Sequence, residues 1–78
     1  RQAAALAERV RREAGADVFA QVRRALNLIT SRPPEEQEVR DSVALIEALQ
    51  TRDGVAADAA IRYFCLAALN LNEFVYLD

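Results

Sequence analysis

Two glycines and two prolines are all that this 78-residue chain contains, and they fall at three places: Gly15, the pair Pro33 and Pro34, and Gly54. Glycine adopts the left-handed conformation that ends helices, and proline removes the amide that a helix interior needs. These breakers therefore cut the chain into four pieces. Within each piece apolar residues recur at spacings of three and four, the period of one helical face, and the β-branched residues show no strand alternation. The predicted fold class is all-α, a small bundle of about four helices.

The first piece carries Ala3, Leu6, Ala7, Val10 and Ala14 on one face, with Glu8, Arg9, Arg11, Arg12 and Glu13 opposite. Gly15 ends it, and Asp17 is positioned to cap the next helix by accepting from amides one turn on. That second helix is predicted from about Val18 to Ile29, burying Phe19, Val22, Leu26 and Ile29. Residues before a proline avoid the helical region, so Arg32 and Pro33 read as a connector, with Pro34 in the first turn of helix three. Glu35, Glu36 and Glu38 there complement the helix dipole. Val39, Val43, Ile46 and Leu49 form the inner stripe, widened by Leu45. Asp53 is expected to cap the fourth helix, with Gly54 easing the turn.

The closing stretch "GVAADAAIRYFCLAALNLNEFVYLD" predicts a last helix that is long and apolar. Its inner stripe comprises Ala57, Ala60, Ile61, Phe64, Ala68, Leu71 and Val75. Asp58, Arg62 and Glu73 interrupt the run, leaving fewer than the roughly 20 residues that span a bilayer. Leu66, Leu69, Phe74, Tyr76 and Leu77 fall off that stripe, and a helix apolar most of the way round is normally covered on most sides. The expected interface is Phe64, Leu66, Leu69, Phe74, Tyr76 and Leu77, with the bundle completed by oligomerisation.

Size sharpens that expectation. A chain of this length, read as one helical domain over residues 1–78 or as a piece of a larger one, buries only roughly 60% of its unfolded surface. Small folds compensate with disulfides, a metal or a partner. One cysteine and no histidine remove an internal disulfide and the usual zinc patterns. A partner chain remains. The net charge of −2 gives no general attraction to nucleic acid or an acidic membrane, no secretory signal is visible, and a lone thiol fits a reducing compartment, expected to be the cytoplasm.

No constellation for chemistry stands out. The glutamates of "PPEEQEVRD" are accounted for by helix capping, and di-iron bundles need Glu-x-x-His pairs. Cys65 lies between Phe64 and Leu66 with no base available, so it reads as an inert thiol. Nothing around Tyr63 and Tyr76 marks a haem pocket. The pairs Arg11–Arg12 and Arg23–Arg24 are interleaved with acids and read as solvated faces. Asn70 and Asn72 face different ways on a helix, so at least one meets water or a partner. No cofactor, metal or catalytic residue is expected.

The run "ALIEALQTRDGVAADAAIRYF", with Ala48, Leu49, Asp53, Ala56, Ala57 and Ala60, resembles the closing helical hairpin of FadR C-terminal (FCD) domains, the effector-binding halves of GntR-type transcription regulators. Upstream, "LAERVRREAGADVFAQVRRAL" is similar to that family's helix, turn and following amphipathic helix. The resemblance implies a helical module that packs, dimerises and encloses a small-molecule effector. Many members hold a metal through an aspartate and three histidines; Ala3, Ala7, Ser42 and Phe64 stand at those positions, and none ligates in that way. No winged helix is seen, so direct DNA binding by this chain is not expected.

The functional expectation is a non-enzymatic, regulatory or effector-binding-like module that self-associates. The alternative is a small helical adaptor subunit packing into a larger hetero-complex. The inner stripe of the last helix yields a first prediction: Phe64→Ala lowers stability by about 3–5 kcal/mol by emptying a buried aromatic site. Chemical denaturation reads this out, and a loss below about 1 kcal/mol, the scale of surface changes, would mean the stripe is misassigned.

Overall fold

Each breaker ends a helix in the computed structural model, which describes the backbone of residues 2–77 and the side chains of residues 2–71. Helix α1 spans Gln2–Ala14, α2 Val18–Thr30, α3 Glu36–Arg52 and α4 Ala57–Leu77. Among the described residues no strand occurs. The fold is all-α.

The α1–α2 turn is built as its residues require. Gly15 takes a φ of +79°, and its amide donates to the Arg11 carbonyl at 3.0 Å. Asp17 caps α2, Oδ1 accepting from the Phe19 amide at 3.1 Å. Ser31 ends α2 in the left-handed region at φ 61° and donates its amide to the Asn27 carbonyl. A serine there carries a steric cost that glycine avoids.

Two connections differ from the expectation. Helix α3 begins at Glu36, so Pro34 lies ahead of its first turn, and Glu35 is the cap, its amide donating to Glu38 Oε1 at 2.9 Å. The glutamate three residues on satisfies an amide that the proline placement would have left outside the helix. Asp53 caps the end of α3 instead of the start of α4: its amide, like that of Val55, donates to the Leu49 carbonyl. Gly54, at φ +67°, lets the chain reverse there. The Ala56 carbonyl accepts the first bond of α4, from Ala60 at 2.8 Å. Alanine offers no side-chain acceptor to the free amides of that turn.

Helix α1 packs on α2 and α4, α3 packs on α2 and α4, and α2 meets α4, whereas the backbones of α1 and α3 stay apart. The shared core is Ala3, Ala7, Val10, Val22, Ala25, Val39, Val43, Ile46, Ala60, Ile61, Phe64 and Cys65. Leu6, Leu26, Leu49, Ala68 and Leu69 pack around it, partly buried.

Several residues expected inside lie outside. Phe19 is exposed, because the buried face of α2 centres on Gln21, Val22 and Ala25, and Phe19 sits about 120° round the helix from that centre. Leu45, off the Val39–Val43–Ile46 line, is 46% exposed. Ala57 is exposed in the first turn of α4. Leu71 is 67% exposed, although its phase matches that of Ala60 and Phe64. Val75 lies outside the residues whose side chains are described.

The uncapped start of α4 yields a prediction. Ala56→Ser supplies an acceptor for the free amides and raises stability by about 1 kcal/mol, read as a higher urea midpoint at unchanged slope.

Candidate interaction surface

Helix α4 presents two different faces. Ala60, Ile61, Phe64 and Cys65 are buried against the other helices, while Tyr63 and Leu66 are 56% and 47% exposed. Asn70 and Ala67 are also exposed. The reason is angular: a turn of 3.6 residues puts Tyr63, Leu66 and Asn70 on the side opposite Ile61 and Ala68.

Beside Leu71 an open groove of about 710 Å³ runs between the end of α2, the first half of α3 and α4. Leu26, Ile29, Leu45, Phe64, Ala67, Ala68 and Leu71 make its apolar walls, and Thr30, Arg32, Glu38, Asp41 and Ser42 its polar edge. Arg32 Nη2 meets Glu38 Oε2 at 3.3 Å along that edge. Such a surface offers apolar contact with hydrogen-bonding groups to one side.

Of the expected interface residues, Phe64 lies in the chain's own core and reaches the groove only as its floor. Leu69 is half-buried against the core, and Leu66 is exposed. Phe74, Tyr76 and Leu77 lie outside the residues whose side chains are described, as does Asn72.

A second, more polar notch of about 560 Å³ lies at the α1–α2 turn and the start of α4, lined by Arg11, Gln21, Gln50 and Asp58 among others. Gln21 has no counterpart in the sequence expectations. It is buried, and its Nε2 donates to the Gly15 carbonyl at 2.6 Å, tying α2 back to the turn. The signal was a glutamine standing between Val18 and Val22 on an otherwise apolar face.

Of the arginine pairs, Arg11, Arg23 and Arg24 are engaged with acids. Arg24 Nε meets Glu13 Oε1 at 2.6 Å and Arg9 Nε meets Glu13 Oε2 at 2.9 Å. Arg23 reaches Glu36 at 3.0 Å, and Arg11 reaches Asp58 at 3.5 Å. Hydrogen bonds from Arg9 and then Arg24 hold the Glu13 carboxyl below its ordinary 4.5. The Glu35 amide, followed by Arg32, does the same for Glu38. These bridges are solvent-exposed, so screening by water leaves each a small contributor to stability.

Cys65 is fully buried, and burial pushes its thiol from 9.0 up to about 11. A thiol held protonated is a poor nucleophile. Among the described residues no group of three or more His, Cys, Asp or Glu side chains comes together to hold a metal. No described helix is long and apolar enough to cross a membrane.

With these features in place, comparison with protein families, with curated proteins and with solved structures finds no match.

The titrating groups give signed predictions. Because the Cys65 value is raised in the folded state, its contribution to stability is present below pH 9.0 and is lost as pH climbs towards about 11. Cys65→Ala flattens that alkaline decline in pH-dependent denaturation. The lowered Glu13 and Glu38 values act in the other direction: their contribution is present above the ordinary 4.5 and fades as pH falls below it. Glu13→Gln and Glu38→Gln each make the acid limb shallower.

Proposed function

We propose that this chain is a non-enzymatic helical module whose work is self-association, with α4 as the long apolar element that another surface completes. One observation carries the reading. Phe19, Leu45, Tyr63, Leu66 and Leu71 are the exposed large apolar residues among those described, and two of them, Tyr63 and Leu66, lie one turn apart on the outer face of α4. Scattered exposed leucines need no explanation, but clustered ones mark contact surfaces.

The regulatory part of the proposal draws on the likeness of "ALIEALQTRDGVAADAAIRYF" to the closing hairpin of FCD domains, together with the groove beside Leu71. A volume of about 710 Å³ falls in the range of small-molecule sites, and apolar walls with a few polar groups at one edge are typical of them. In this reading the groove takes an effector and no chemistry follows. The inert Cys65 fits a cytoplasmic protein.

Sedimentation velocity over a micromolar concentration series is the test. The sedimentation coefficient is expected to rise with concentration as monomers pair. A single monomeric species throughout would overturn the proposal. Co-purification from the native source with one unlike protein in fixed ratio, and no homo-oligomer, would replace it with the adaptor reading.

A further inference from the structure

The charges that line the groove beside Leu71 do not cancel. Helix α3 turns Glu38, Asp41, Ser42 and Leu45 towards it, a spacing of three, one and three that lies on one side of a helix. Both acids of the groove therefore come from α3, and its one cation among the described residues, Arg32, from the connector before that helix. Arg32 and Glu38 are engaged with each other: Nη1 and Nη2 donate to Oε1 and Oε2 at 3.4 and 3.3 Å. Nη1 also donates to the Pro33 carbonyl, and Oε1 also accepts from the Glu35 amide. Asp41 has no such counterpart. Its Oδ1 accepts from the neutral Gln37 carboxamide at 2.8 Å, and among the described residues it forms no ion pair. Arg40, its chain neighbour, donates to Gln37 Oε1 at 3.3 Å instead and does not line the groove. One negative charge is left at the edge of an apolar cleft, whose low-polarity walls concentrate its field.

We infer that the groove takes an amphipathic organic cation, its ammonium head donating to Asp41 and its hydrocarbon body lying against Leu26, Leu45 and Leu71. The inference rests on the effector reading above and names the ligand's class. An ammonium has donors and no acceptor, which suits a rim whose open groups accept. Thr30 already gives its hydroxyl proton to the Leu26 carbonyl at 2.8 Å, so its oxygen is left to accept, and the Ser42 hydroxyl beside Asp41 can do the same. A carboxylate of the same shape meets repulsion from Asp41 and must draw Arg32 away from Glu38.

Three probes that differ only in the head group test this: octylamine, octanol and octanoate, each followed by amide chemical-shift titration of the whole chain. Octylamine is expected to bind about fivefold tighter than octanol and about tenfold tighter than octanoate, with shifts at Thr30, Ser42 and Ala67. The preference shrinks at high salt, as a rim charge requires. Asp41→Asn alters an exposed residue, leaves helical circular dichroism unchanged and brings octylamine down to the octanol value. Leu45→Gln, also at an exposed position, weakens all three. If octylamine binds no tighter than octanol, or octanoate binds tightest, the cation inference is overturned while the groove remains an effector site. If none of the three moves the groove amides, the effector reading fails with it.

Discussion

Everything in this fold depends on burying the inner face of α4. The backbones of helices α1 and α3 do not come close to each other, and they are held in one structure because both lie against α2 and α4. Phe64, Ile61, Cys65 and Ala60 fill that shared interior. The exposed arginine–carboxylate bridges that link successive helices add little by comparison, because solvent screens them. The two kinds of contact divide the labour: apolar burial supplies the free energy, and the bridges with Asp17 and Gln21 fix where turns close.

The core is lean. Ala3, Ala7, Ala25 and Ala60 make up a third of its buried apolar residues. Alanine lets helix backbones approach closely but removes little apolar area from water, so the hydrophobic contribution per residue is small. Leu71 remains exposed. It carries the phase of the inner stripe, yet lies open at the groove where the neighbouring helices no longer cover α4.

Reading the sequence recovered the helices well because their signals are local. Gly15, Pro33 and Gly54 interrupt the chain whatever it packs against, and Asp17 caps through a bond spanning two residues. The inner stripes of α1 and α3 followed from periodicity alone. The errors came where two local signals competed. Asp53 can cap a helix that starts or one that ends, and the Leu49 carbonyl decided between them. Glu35 and Pro34 competed for the start of α3, and the bond from the Glu35 amide to Glu38 decided that. Phe19 and Leu45 were assigned to the interior as parts of apolar stripes, but the neighbouring helices cover a strip centred further round each helix.

The residues by themselves determined four helices, their breakpoints, a chain without histidine and a thiol with no base beside it, since each of these is a property of composition or of a few neighbouring positions. Tertiary structure alone decided which apolar residues remain uncovered. Periodicity ranks side chains by direction on one helix, but exposure depends on how far the adjacent helices extend and at what angle they cross. That is why Leu71, in phase with the inner stripe, lies open on α4, and why Gln21, polar by composition, turned out to be part of the interior.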